Sequence, residues 1–366
     1  MKIGMVTLHR VFNYGSVLQT YALQEYLKSM GHDVEVIDYK PERFSNKRYY
    51  DLTGEQWRNP LKKILGLIIT IPIKAIRKNI FDKFVKKYIC LTNNTYRVYD
   101  DVVKNCGDKD IYLTGSDQVW NSTYNELIDP TYFLEFAPKG RKRLAYAGSF
   151  GKMTLDKKEI EKTKELLNKY TRISVRERSA LGILESMGRT DGVHVLDPSL
   201  LLDKGEWLKI SNSSKEYGRY VLVYNLNNNP KIKQCAKKIG EAKGIKVINI
   251  VLRVRGDKGC QNEYFVTPNK FIHLFANAEY VVTDSFHGTA FSINFNRQFL
   301  CVLPPKYTTR LISILEVTQL KDRICEGELN VQKALREIDY NKVNKLIDEQ
   351  RVISKNYLEK EINEGN

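Results

Sequence analysis

Asp284-Ser285-Phe286-His287-Gly288 follows the apolar run Tyr280–Thr283 and precedes Thr289-Ala290-Phe291, so a histidine sits where a strand hands over to a helix. The start of a helix offers free backbone N–H groups and the positive end of the helix dipole. A histidine beside them can donate to a phosphate or exchange a proton near neutral pH. The chemistry expected there is the holding of a phosphate or carboxylate, with Gly288 letting the backbone come close. A histidine bonded to backbone as a structural plug is the competing explanation.

In open α/β sheets, ligands bind outside the carboxyl ends of the strands, so the residues just after each strand are the ones to collect. After the first strand come His9, Asn13, Tyr14, Gly15 and Ser16, with Gly15-Ser16 opening a helix; the same residues could be no more than a helix cap. After "DIYLT" comes "GSDQVWN", with Ser116, Asp117, Gln118, Trp120 and Asn121. Amides and a carboxylate bond sugar hydroxyls and an indole covers a ring face, although Trp120 could instead anchor the loop to the core. Arg176, after "RISV", can clamp a carboxylate or phosphate through parallel bonds, or pair with Glu177 or Asp197.

The elements that must position these residues follow a βα rhythm. Strand 2–8, a helix ending before Gly31 and strand 34–39 make a βαβ opening, and further strands are expected at 110–115, 143–149, 172–175 and 192–197. The polar stretch 210–219 marks a linker, and a second series places strands at 220–226, 245–252, 279–284 and 298–303, with a helix over 288–295. Two Rossmann-like parallel-sheet domains facing a cleft are expected: 1–209, then 210–330, then a helical tail over 331–366.

The bulk numbers agree with that layout. At 366 residues, with 42% apolar and 28% charged side chains, the chain has material for two cores and is not a disordered polymer. Six cysteines form no CxxC pair or zinc-like spacing, so ordinary thiols in the cytoplasm are expected. "DKD" (108–110) lies before its strand, at the opposite edge from the candidate site, and no metal site is expected. "MKIGMVTLHR" has the alternation of a strand rather than the core of a signal peptide.

A net charge of +16 fits anionic partners or a lysine-rich solvated surface. Residues 61–88 break the βα rhythm, with eight Lys/Arg among apolar residues and Asp82 as the sole acid. They form either a basic amphipathic helix pair lying on an anionic membrane surface or a helical insertion packed on its own domain. Tyrosines spread through strands and helices, without a basic stripe between them, speak against nucleic acid as partner.

The motifs "NYGSVLQTYAL", "TGSDQVWN", "SVRE", "DPSLLL" and "TDSFHGTAF", in that order, resemble the polysaccharide pyruvyl transferase family, over about residues 3 to 320. The resemblance implies a GT-B-like fold, phosphoenolpyruvate as co-substrate, no cofactor, and a pair of sugar hydroxyls joined by pyruvate as a cyclic ketal. By the same resemblance Arg176 and His287 handle the donor. Ser285, Phe286, Gly288, Thr289 and Arg310 are then expected on the donor side. Asp117 is expected as hydroxyl base or acceptor contact, and the polar residues after the first and third strands are expected on the acceptor side. Acceptors in such pathways are often lipid-diphosphate-linked, which would place the enzyme on the inner membrane face. A nucleotide-sugar glycosyltransferase on the same fold and a non-catalytic scaffold are the rival functions.

Overall fold

A computed structural model describes residues 1–364. Two all-parallel sheets organise the chain. The first contains β1 (Lys2–Val6), β2 (Asp33–Val36), β3 (Ile111–Thr114), β4 (Lys142–Gly148), β5 (Arg172–Val175) and β6 (Val193–His194), in the order β2-β1-β3-β4-β5-β6. The second contains β7 (Tyr220–Tyr224), β8 (Lys246–Ile250), β9 (Gln261–Glu263), β10 (Tyr280–Thr283) and β11 (Gln298–Cys301), in the order β11-β10-β7-β8-β9.

Both faces of each sheet are covered, which is why the strands are apolar without a polar face. Ile111 and Leu113 of β3 enter one core and Tyr112 enters another. In β7, Leu222 joins the first of these cores while Val221 and Val223 enter a third. Leu113 and Leu222 thus belong to one continuous apolar cluster that runs through both sheets.

The order of each sheet reverses at one place. In the first sheet, β2 lies to one side of β1 and β3 to the other; in the second, β8 and β10 flank β7 in the same way. A crevice forms outside the strand ends at such a switch point, because the connections leave in opposite directions. The loops after β1, β3, β7 and β10 are therefore the ones that can reach a ligand.

Aromatic packing closes the two halves on each other. Tyr14, at the start of helix Tyr14–Ser29, stacks on Phe271 at 4.5 Å and 14°, and its hydroxyl donates to the Val266 carbonyl at 2.7 Å. Trp207 is fully buried between Tyr21 and Phe291, with Nε1 donating to the Ser199 carbonyl at 3.0 Å. Helix Tyr340–Asn363 returns across the first sheet: the Tyr357 hydroxyl donates to the Ala145 carbonyl at 2.9 Å, while Arg351 reaches Asn294 of the other half.

Several elements differ from the sequence expectation. Residues 61–88 are not a helix pair but part of one helix, Pro60–Tyr88, with Pro72 inside it. The helix of the "SFHG" segment begins at Phe286 rather than 288, because Ser285 caps it. β9 is a short edge strand with no apolar alternation to announce it, and the tail is a short turn of helix over Val331–Ala334 before the long one.

Removing the indole that bridges the halves leaves a large cavity and takes one of two donors from the Ser199 carbonyl, which Asn294 Nδ2 still reaches at 3.1 Å. Trp207→Ala is expected to lower unfolding free energy by about 3–5 kcal/mol, read as a shift of the urea midpoint at unchanged slope.

Candidate functional site

Two helix N-termini face each other across the cleft. Asn13 caps the first, its Oδ1 accepting the Gly15 N–H at 2.8 Å, and Ser285 caps the second, its Oγ accepting the Gly288 N–H at 3.4 Å. Their approach is so close that a Cβ on Gly15 would lie 1.9 Å from His287 Nδ1. Gly15 is thus a glycine because an imidazole from the other domain occupies the space of its side chain. Gly288 is small for a different reason than expected: its Cβ would stand 2.3 Å from Thr283 Oγ1, so its own strand, and not a ligand, excludes a side chain.

Behind this contact lies a buried ion network. The Arg176 side chain is wholly out of solvent; Nη1 donates to Asp197 Oδ2 at 2.6 Å and Nη2 to Asp117 Oδ1 at 3.3 Å. Arg310 Nη1 approaches the same Asp117 oxygen at 3.5 Å, and the Ser16 hydroxyl donates to Asp117 Oδ2 at 2.7 Å. Ser116 donates to Asp197 Oδ2 at 3.1 Å, and His287 Nε2 stands 3.8 Å from Asp197 Oδ1. The guanidinium of Arg176 also lies 5.0 Å from the Phe286 ring centroid. His287 Nε2, Arg176 Nε and Arg310 Nε are buried without a hydrogen-bond partner among the described residues. Orphaned buried donors are costly, and here they belong to groups that share the Asp117–Asp197 pair.

The network sets the protonation states. Burial alone would raise the Asp117 carboxyl, but the charges of Arg176, Arg310 and His287 outweigh it and hold the group well below the usual carboxylate range. Asp197 is held down in the same way, chiefly by Arg176 and His287 against its burial. A carboxylate so stabilised is a weak proton acceptor, which favours Asp117 as an organiser of cations over Asp117 as a hydroxyl base. For His287 burial wins: it lowers the imidazole from 6.5 to about 4, against the attraction of Asp197 and Asp117. His287 is therefore neutral at pH 7 in the free protein.

A cavity of about 240 Å³ opens on this arrangement. Asn13, Ser16, Asp117, Gln118 and Tyr124 wall it on one side; Asp284, Ser285, Phe286, His287 and Arg310 wall it on the other, with Asn227, Lys306 and Tyr307 at its second-domain edge. Asp284 acts here as a brace, accepting from the N–H groups of Leu226 at 2.7 Å and Asn227 at 2.9 Å.

Other candidates lie elsewhere. His9 is buried and bonds Asp38 Oδ1 at 3.0 Å and the Thr7 carbonyl at 3.1 Å, a network that also takes in Arg10 and Thr95 and stands apart from the cavity wall. Trp120 is the core anchor rather than a sugar platform: it packs on Phe133 and Phe150 and donates to the Tyr132 carbonyl at 3.2 Å. Asn121 caps the short helix Ser122–Asn125, Tyr14 sits in the domain contact, and Thr289 is buried one residue behind the wall. Ser116 and Arg176 serve the network from behind the cavity surface. Asp108 and Asp110 of "DKD" bond Arg141 and the Lys2 N–H at the far edge.

Tyr124, Asn227, Lys306 and Tyr307 were not anticipated. Asn227 and the Lys306-Tyr307 pair follow β7 and β11, so the strand-end rule, applied to every strand, would have found them. Tyr124 gives no such signal, since a short capped helix brings it there.

A family model for polysaccharide pyruvyl transferase matches residues 13–304, from the cap of the first helix to the cavity edge at Pro304. No curated protein matches the chain in sequence. Among solved structures, a UDP-GlcNAc 2-epimerase from Neisseria meningitidis, bound to UDP-GlcNAc, is 9% identical with TM-score 0.50 over 100% of both chains. The heptosyltransferase WaaC of E. coli is 12% identical with TM-score 0.41 over 95% of this chain and 99% of its own. The fold is GT-B-like, two parallel-sheet α/β domains across a cleft. With four fifths of its length covered by that family model, the chain is a transferase that belongs to the polysaccharide pyruvyl transferase family.

Proposed function

We propose that this enzyme moves pyruvate from phosphoenolpyruvate to two hydroxyls of a sugar, as a cyclic ketal on a cell-surface polysaccharide or its lipid-linked precursor. The observation that carries the proposal is a neutral, solvent-excluded His287 with an unpartnered Nε2, set beside Arg310 and Lys306 at the junction of two helix N-termini. Such a cradle suits a small, multiply charged anion.

The reaction balances without a redox step. A proton goes to the methylene carbon of phosphoenolpyruvate, positive charge develops at the adjoining carbon, and one sugar hydroxyl adds there. Phosphate then leaves with its bonding electrons, and the second hydroxyl closes the ring. One hydroxyl proton replaces the proton given to carbon and the other leaves with phosphate. His287, protonated once the donor is bound, serves as the acid, or as donor to the phosphate; Arg310 and Lys306 balance the donor's charge; Arg176 keeps Asp117 and Asp197 ionised and in place. Asn13, Ser16 and Gln118 supply hydroxyl and amide groups on the face expected to take the sugar.

Calorimetry of phosphoenolpyruvate binding tests this. An anion beside His287 offsets the desolvation that keeps it neutral, so binding raises its pKa from about 4 and takes up a proton. The sign follows: affinity rises as pH falls from 8 toward 6, and the proton uptake, read from buffers of different ionisation enthalpy, is larger than in His287→Gln. Arg310→Gln is expected to weaken binding by about tenfold, the worth of one charge-assisted bond. Saturable binding of a nucleoside diphosphate with none of phosphoenolpyruvate would instead favour a nucleotide-sugar glycosyltransferase.

Gly15→Ala gives a second, independent check. Alanine is the better helix former, yet its methyl must displace the His287 ring. A loss of stability of no more than about 1–3 kcal/mol with a loss of about 100-fold in turnover is expected, measured as phosphate released in the presence of a sugar acceptor.

A further inference from the structure

Helix Pro60–Tyr88 behaves differently along its two halves. From Arg77 onward its inner face belongs to the protein. Arg77 Nη2 donates to the carbonyls of Val251 at 3.0 Å and Arg253 at 2.7 Å, Nη1 donates to that of Leu252, and Phe81, Phe84 and Val85 are buried. Ile80 and Phe81 also wall a second cavity of about 240 Å³, lined by Phe12, Tyr14, Tyr224 and Phe265. That cavity shares Asn13 and Leu226 with the polar one, so the helix borders the approach to the site.

Ahead of Arg77 the outer face is uncovered. Leu61, Ile64, Leu65, Ile68, Ile69, Ile71 and Ile76 are between 40% and 77% exposed. At 3.6 residues per turn they fall within an arc of about 160°. Lysines on the inner side of this half are already engaged: Lys63 pairs with Asp51 at 3.0 Å, and Lys74 donates to the Tyr49 carbonyl at 2.7 Å. Further along the same outward arc the side chains become Lys83, Lys86 and Lys87, all exposed. The helix carries one acid, Asp82, and Lys78 is paired with it.

A contiguous apolar strip of this kind on a folded surface marks a docking site. A second copy of this chain would cover the isoleucines, but it would also bring two sets of lysines and two net charges of +16 together. An anionic bilayer answers both features: the apolar strip enters the headgroup–acyl boundary and the lysines meet lipid phosphates. We propose that the outward face of helix 60–88 seats this enzyme on an anionic membrane surface, beside the apolar cavity that adjoins the site. The docking does not depend on the identity of the donor.

Sedimentation of the full chain with vesicles is the test, comparing phosphatidylcholine alone with an equal mixture of phosphatidylcholine and phosphatidylglycerol. Partition onto the anionic vesicles at least about tenfold above the neutral ones is expected, falling with salt. The triple substitutions Ile64→Ser/Leu65→Ser/Ile68→Ser and Lys83→Gln/Lys86→Gln/Lys87→Gln should each lower it by about tenfold or more. Both sets are exposed and away from the site, so thermal stability and phosphoenolpyruvate binding should stay as in the wild type; docking and donor recognition are thereby scored separately. Equal binding to both lipids, no binding, or binding indifferent to the serine set would overturn the proposal. So would a lipid-free dimer that the serine set turns into a monomer, because the strip would then be covered by a second copy.

Discussion

Everything at the centre of this molecule depends on one buried guanidinium. Arg176 leaves the end of β5 and is held between Asp117, after β3, and Asp197, beyond β6. An ion removed from water at this depth is tolerated only when its partners are in place; loss of one partner of such a pair costs about 3–5 kcal/mol. Asp117 also receives Ser16 from the first helix and stands beside Arg310, and Asp197 stands beside His287, both from the second domain. Neutralising the core of the first domain and orienting the polar groups of the second are therefore one electrostatic arrangement.

That arrangement explains why the domains meet by their helix starts. Two positive helix ends pointing at each other repel unless something negative lies between them. In the free protein Asp117 and Asp197 fill that role from below, and the cavity above leaves room for an anion. A neutral His287 fits the same account, because a charged imidazole beside Arg176 and Arg310 would add a further cation to a dry site. Closure is secured away from the chemistry, by Trp207, by the Tyr14–Phe271 stack and by Arg77 reaching the loop after β8, so the polar groups need not hold the domains together.

The rule that ligands gather at strand ends found His287, Asp117 and Ser16, because backbone topology puts those residues at switch points whatever their side chains do. It overreached where position and direction part company. Trp120 stands in the same loop as Asp117, yet its ring turns to Phe133 and Phe150; Asp117 itself adopts a left-handed φ of 78° that re-aims the loop. His9 follows β1 as Asn13 does, but Asp38 from the neighbouring strand end captures it. Helix 60–88 shows the same limit: its basic, apolar composition was plain, while its division into a packed half and an uncovered half follows from where Val251–Arg253 happen to lie.

Periodicity and turn chemistry in the chain are enough to set two parallel α/β domains, since apolar runs of strand length alternating with capped amphipathic segments can bury both faces of a sheet in few other ways. They also suffice to put a histidine, an arginine and an aspartate at strand ends, and the order of the motifs carries the family. What waited for the tertiary structure was the set of contacts between distant segments: Gly15 under His287, Arg176 shared by two aspartates, Lys306 and Tyr307 at the cavity edge. The physical reason is that local sequence controls backbone conformation and burial, which are short-range properties. Protonation state and side-chain direction are set by charges and surfaces brought together from separate segments, 21 and 59 residues from Arg176 to its two aspartates and 193 from Asp117 to Arg310.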